Sequence, residues 1–290
     1  MRYVSVRTDT STRWGISAEG AVQLAPRGAG WADSLLELIE MGPGAASAQA
    51  ERLLRGDGEA RDLNSLTLLA PIPKPTRNII CLGLNYADHA SESQRAKGQE
   101  VSYPEHLVVF TKATTSVTAP YAAIPVDTTI TTQLDWEVEL AVVIGTGGRN
   151  IPEHEAAQHV FGYTVVNDLS ARDLQFCHKQ FFLGKSLDGG CPMGPWITSA
   201  DAIADPHDLA LWCDVNGQRQ QSGYTGDQIF RIPETIASLS RIMTLVPGDI
   251  IATGTPSGVG FAQDPPRFLQ AGDVVECGVD GIGTIRNRIV

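Results

Sequence analysis

The sequence predicts an α+β, strand-dominated fold, with antiparallel or mixed sheets rolled or sandwiched together behind a small N-terminal α/β domain. Three observations carry this reading. Short segments rich in Val and Ile, bounded by Gly, Pro, Asn or Asp, recur along most of the chain. They do not alternate with helical patterns in the βαβ rhythm of a doubly wound sheet. At "PIPKPTRN", residues 71–78, three prolines fall within five positions, which suits an extended linker. The boundary therefore falls there, giving an N-terminal unit over residues 1–70 and a main domain over 71–290.

Within the N-terminal unit, "YVSVRT" and "WGISAEGAVQL" read as strands. "WADSLLELIEMG" reads as a helix that ends at Gly42-Pro43, and "AASAQAERLLRG" as a second. Beyond the linker, strands are expected at "NIICLG", "HLVVFTK", "WEVELAVVIG", "FGYTVVND", "LALWCDVNG", "DIIATG", "DVVECGV" and "GTIRNRIV". Helices are few: "PEHEAAQHV", "SARDLQFCHKQ" and "RIPETIASLSRIM" have the best patterns.

At 290 residues, with 42% hydrophobic and 19% charged residues, the chain can bury a sizeable core. No apolar run approaches the roughly 18 to 20 residues of a membrane span, and no apolar region follows the first arginine, so a cytoplasmic protein without a signal peptide is expected. The net charge of -11 argues against nucleic acid or an anionic membrane as partner, since both demand a basic footprint. An anionic small molecule stays compatible where a metal and a few basic residues gather locally. The five cysteines are dispersed and form no C-x-x-C pair, which fits reduced, mostly buried thiols.

The chemistry concentrates in four places. In "LDWEVELAVVIG", period-2 alternation puts Leu134, Trp136, Val138, Leu140 and Val142 on one face of a half-buried strand, with Asp135, Glu137 and Glu139 on the other. Such a row is either a solvated edge or a cation site. Asp168 follows the apolar run Phe161–Val166 and precedes a helix start at Ser170, where Ser-x-x-Asp resembles a capping arrangement. With Glu137 and Glu139 it would complete an all-oxygen set suited to a hard cation such as Mg²⁺, which keeps positions open for water and substrate. His89 and Glu92 in "NYADHASES" are three apart, so that on a helical turn the carboxylate can orient the imidazole; a solvated turn is the plainer alternative. The polar segment "SESQRAKGQEVSYPEH" after them is a candidate lid. Lys185 interrupts an apolar run bounded by glycines. Neither "VVIGTGGRN" nor "ATGTPSGVG" meets the requirements of a nucleotide-binding loop; the first suits a tight turn and the second a backbone-exposing loop beside a ligand.

Taken in order, "CLGLNYADHASE", "LDWEVELAVVIG", "GYTVVNDLSARDLQ", "GKSLDGGCPMGPW", "VNGQRQQSGYTGDQIF" and "PGDIIATGTPSGVG" closely resemble the fumarylacetoacetate hydrolase family over residues 77–290. The resemblance implies a rolled mixed β-sandwich, a homodimer, and Mg²⁺ or Mn²⁺ bound by Glu137, Glu139 and Asp168. It further implies a catalytic His89–Glu92 dyad, an active-site Lys185, and substrate contacts from Gln175 and Thr255. Family members act on small anionic 2-oxo and 2,4-dioxo acids. The main expectation is therefore metal-dependent hydrolysis of a C–C bond in an acylpyruvate or fumarylpyruvate, from aromatic ring cleavage. The alternative is tautomerisation, isomerisation or decarboxylation of a 2-hydroxydienedioate or oxaloacetate-type acid.

Overall fold

The computed structural model describes residues 1–8, 11–18 and 20–290, and its strand-dominated α+β architecture is the one the sequence predicts. A 12-stranded mixed sheet forms the spine. Its main path runs Glu59–Asp62, Ala21–Leu24, Ser11–Ala18, Arg2–Thr8, Cys191–Ser199, Val160–Asn167, Val138–Ile144, Ile250–Ala252, Ile79–Gly83 and Val108–Lys112. A five-stranded sheet, Gln218–Tyr224, Ala210–Val215, Val274–Val279, Gly283–Ile289 and Ala123–Ile124, packs against it. Residues of both sheets, among them Leu140, Val142, Val165, Cys213, Val275 and Ile285, meet in one buried cluster.

Among the described residues six α-helices flank the sheets: α1 (Leu35–Glu40), α2 (Pro43–Arg52), α3 (Ala87–Ala96), α4 (Arg172–Cys177), α5 (Phe182–Lys185) and α6 (Ile232–Ile242). None is long and apolar enough to cross a membrane. The N-terminal strands continue the large sheet directly, through the antiparallel pairs Arg2↔Thr198 and Tyr3↔Ile197. A second buried cluster joins Leu35, Ile39 and Leu53 to Val143, Val166 and Ile197.

Several local expectations need correction. The stretch from Leu134 is two strands, because Leu134–Asp135 pairs with Ser170–Ala171 while Val138–Ile144 lies between Val160–Asn167 and Ile250–Ala252. All seven residues of Val138–Ile144 are buried, so the strand has no wet face. A central strand covered on both sides hides its alternation. At the next helix, Ala171 rather than Ser170 occupies the N-cap, without a side-chain bond. Asp173, the expected capping partner, instead accepts from Thr131 Oγ1 at 2.6 Å. "PEHEAAQHV" forms a 3-10 turn, Glu153–His159. Two strands the composition conceals also appear. Cys191–Ser199 contains Pro192, Gly194 and Pro195, and Gln218–Tyr224 is mostly polar.

Candidate active site

Glu137 immediately precedes Val138–Ile144, Glu139 is its second residue, and Asp168 follows the antiparallel neighbour Val160–Asn167. The register Val138↔Asn167 brings these strand ends side by side. The Asp168 N–H donates to Glu137 O at 2.8 Å, and Glu137 N–H donates to the Asn167 side chain at 3.0 Å. As a result Glu137, Glu139 and Asp168 are all buried and each offers an oxygen within 4.8 Å of the others. The row of carboxylates is therefore no solvated edge.

Three buried cations answer them. Lys112, at the end of its strand, donates to Asp168 Oδ1 at 2.5 Å and to Leu169 O at 3.0 Å. Lys185, at the end of α5, donates to Glu137 Oε2 and Asp168 Oδ2, both at 2.8 Å. Arg172 opens α4, donates from Nε to Asp135 Oδ2 at 2.8 Å and ion-pairs from Nη2 with Glu137 Oε1 at 2.7 Å. The approach of α5 to α4 depends on Gly184, where a Cβ would lie 2.5 Å from Gln175 N.

Burial alone would lower the pKa of Lys185, but Asp168 and Glu137 outweigh it and raise it above the usual lysine value. For Arg172 the same contest ends the same way, through Asp135 and Glu137. Burial would raise Glu137, yet Lys185 and Arg172 hold it well below the usual carboxylate range. Glu139 differs. Burial, then Asp168 and Glu137, push it well above that range, and its bond is from Gly254 N–H at 2.8 Å. Four buried carboxylates (Asp135, Glu137, Glu139, Asp168) thus face three cations (Lys112, Arg172, Lys185), with Glu139 the uncompensated one. An all-oxygen trio with surplus negative charge fits a hard divalent cation.

The strand Ile79–Gly83 turns into α3 through "LNYADH". Asn85 clamps the turn, donating to Thr253 O at 2.8 Å and Phe230 O at 3.0 Å while accepting from Phe230 N at 2.8 Å. α3 then carries His89 and Glu92, with Nδ1 and Oε2 3.6 Å apart. His89 is buried, and its Nδ1 has no hydrogen-bond partner. Of the segment expected to be a lid, Ser91–Ala96 belongs to this helix, and irregular chain begins at Lys97.

The glycine-rich loop after Ile250–Ala252 is the second support, and three of its glycine amides end on carboxylates. Gly254 N–H donates to Glu139 at 2.8 Å, Gly258 N–H to both oxygens of Glu92 at 3.0 Å, and Gly260 N–H to Asp135 Oδ1 at 2.7 Å. Gly258 has φ +103°, and a Cβ there would sit 2.0 Å from Gln220 O. Only glycine allows that amide to reach Glu92.

His89, Lys185, Glu137, Gln175 and Thr255 all line one cavity of ≈ 50 Å³, closed by Phe110, Phe176, Phe181 and Phe261. A larger cavity of ≈ 220 Å³ between Ile124, Val126, Leu134 and Leu187 holds neither the dyad nor the carboxylate trio, so the smaller one is the candidate site. Within it Gln175 Oε1 accepts from Arg172 Nη1, and Thr255 Oγ1 accepts from Gln221 Nε2, both at 2.8 Å. Sequence reasoning missed Lys112, Arg172, Asn85 and Gln221. Arg172 lies inside a segment singled out for Asp168 and Gln175, whereas Lys112 ends a half-buried strand and carries no local signal of its own.

Residues 78–290 match the family described as fumarylacetoacetate (FAA) hydrolase C-terminal. Over 227 residues the chain is 53% identical to the oxaloacetate tautomerase YisK of Bacillus subtilis, covering 78% of this chain and 74% of that protein. Among solved structures, the fumarylacetoacetate hydrolase of psychrophilic Exiguobacterium antarcticum superposes with a TM-score of 0.85 at 41% identity, over 100% of this chain and 99% of that one. The maleylpyruvate hydrolase of Sphingobium sp. SYK-6, in complex with manganese(II) and pyruvate, gives 0.78 at 29% identity, over 100% and 99%.

Proposed function

Because the chain belongs to the fumarylacetoacetate hydrolase family, we propose that it is a metal-dependent tautomerase interconverting the enol and keto forms of an oxaloacetate-type 2-oxo acid. The observation that carries this reading is a buried carboxylate trio whose member Glu137 lines one cavity with His89 and Lys185, in a chain 53% identical to an oxaloacetate tautomerase. The alternative expectation from the sequence is thus better supported than C–C hydrolysis.

Glu137, Glu139 and Asp168 would hold the divalent ion, Mg²⁺ or Mn²⁺. Bound there, such an ion supplies Lewis-acid polarisation of the substrate's carboxylate and 2-oxo oxygens. Lys185 spends two of its three ammonium donors on Glu137 and Asp168, which leaves the third for the oxygen that gains charge in the enolate. His89 is the group that removes the proton from, and returns it to, the carbon beside the oxo group. Its Nδ1 is free of hydrogen bonds, and the Glu92 carboxylate, fixed by Gly258, stands 3.6 Å from it. The four phenylalanines give the cavity an apolar wall beside these polar groups. Gln175 and Thr255 are proposed to contact substrate, and the active form is proposed to be a homodimer.

The second reading is hydrolysis of a 2,4-dioxo acid such as an acylpyruvate, favoured by the His89–Glu92 pair and by the likeness to a maleylpyruvate hydrolase. It adds a water activated by His89 at the distal carbonyl. A panel of oxaloacetate, acetylpyruvate, fumarylpyruvate and 2-hydroxyhepta-2,4-dienedioate, with products identified by chromatography, tests the assignment. Enol–keto exchange of oxaloacetate without C–C cleavage is the expected result. Pyruvate released from an acylpyruvate, with no tautomerisation, would put hydrolysis in its place.

A further inference from the structure

Three of the site's cations are committed to carboxylates, and one is not. Lys97, the C-cap of α3, lines the same cavity with its ammonium 4.7 Å from the ring centroid of Phe176 and 5.8 Å from that of Phe261. The two rings meet edge to face at 5.2 Å. Among the described residues, no carboxylate oxygen lies within 4.0 Å of Lys97 Nζ and no side-chain hydrogen bond engages it. Lys112, Arg172 and Lys185, by contrast, each pair with at least one buried acid.

The position has a geometric logic. His89, Ser93 and Lys97 follow one another at intervals of four, so they lie along one face of α3, and all three line the cavity. At 1.5 Å of rise per residue the Cα of Lys97 stands about 12 Å along the axis from that of His89. The helix therefore presents a base at one end of the site, a hydroxyl in the middle and an unspent cation at the other end. A 2-oxo dicarboxylate carries two negative charges. One belongs beside the oxo group, at the carboxylate trio and Lys185; the other needs a cation with free valence. Arg172 already bonds Asp135 and Gln175 and ion-pairs with Glu137, which leaves its charge more fully compensated than that of Lys97.

We propose that Lys97 receives the distal carboxylate of the substrate and so selects a four-carbon 2-oxo dicarboxylate over 2-oxo acids that lack the second charge. This rests on the tautomerase reading of the same site. Lys97 is exposed at the edge of the cavity, and its ammonium rests over the aromatic pair, where a charge-assisted bond to an incoming anion can form without breaking an existing ion pair. Partial desolvation and the nearby Arg172 lower the pKa of Lys97, a penalty that an anionic partner relieves.

The test compares oxaloacetate with its 4-ethyl ester, which keeps the 2-oxo acid and loses the distal charge. Lys97→Met should lower kcat/KM for the diacid by roughly ten- to hundred-fold, mainly through KM, as expected for a lost hydrogen bond to a charged group. Turnover of the ester should stay unchanged, and Lys97→Arg should recover most of the preference. Equal losses on both compounds, or none on either, would overturn the proposal. Binding of diacid and ester by calorimetry in the presence of Mn²⁺ supplies a reading independent of turnover. Should the unmodified protein tautomerise neither compound, the tautomerase reading fails. The role of Lys97 is then judged by binding alone: selective loss of diacid affinity in Lys97→Met supports it and equal affinities refute it.

Discussion

At Glu139 burial and the charges of Asp168 and Glu137 act in the same direction and outweigh the opposing pull of Lys185 and the Gly254 amide. Glu139→Gln removes the surplus charge yet can still accept from Gly254 N–H, so it should fold with an unchanged or higher Tm. Divalent-ion affinity, measured by calorimetry, should fall by more than the roughly 10–100-fold typical of losing an outer-shell partner. A large drop in Tm with intact Mn²⁺ affinity would make the residue structural. For His89→Ala the expectation is the reverse pattern: Mn²⁺ still binds, while turnover falls roughly 10² to 10⁴-fold, as for a removed general base. The trio was legible because i, i+2 spacing fixes a shared face and the surrounding blocks match a known family. Lys112 was not, since a lysine ending a strand ordinarily sits at the surface. Its burial follows from Asp168, 56 residues away, which no local pattern shows. Asp135, assigned no ligand role, is bound to Arg172 and to the amides of Gly260 and Phe261.

Two elements hold the site in shape, α3 and the loop from Thr253 to Phe261. That loop was read as backbone-exposing and beside a ligand; Thr255 does line the candidate cavity, and the amides of Gly254, Gly258 and Gly260 end on Glu139, Glu92 and Asp135. Gly258→Ala is the direct probe. The added Cβ meets Gln220 O, the left-handed φ adds strain of about 1–3 kcal/mol, and the amide withdraws from Glu92. The variant should lose stability by about that amount in denaturant melts and lose turnover out of proportion to it. Retention of full activity would show that Glu92 needs no such anchor. Strands with plain Val/Ile runs, such as Val160–Asn167, were readable from pattern. Cys191–Ser199 was hidden by its prolines and glycine, and helix α3 by a polar sequence that reads as a mobile segment. In both cases tertiary packing overrides local preference.

Across the whole molecule, the fold is that of the fumarylacetoacetate hydrolase family, and it gathers cations at one site of an acidic protein, as the proposed anionic substrate requires. The net charge of -11 is spread over the chain, whereas the cavity gathers Lys97, Arg172 and Lys185 about a carboxylate trio suited to a cation. The strand content and the absence of a βαβ rhythm were enough to predict this architecture. The continuity of the N-terminal strands with the large sheet was not visible, because pairing of Arg2 with Thr198 spans about two thirds of the chain. The central claim is that tautomerisation needs the trio and its ion together. It is tested most directly by following the ultraviolet absorbance of enol-oxaloacetate as it converts to the keto form. Enzyme loaded with Mg²⁺ or Mn²⁺ should accelerate the decay, chelation should return it to the buffer rate, and added metal should restore it, except in Glu139→Gln. Acceleration that survives chelation, or that is undiminished in Glu139→Gln, would contradict the account.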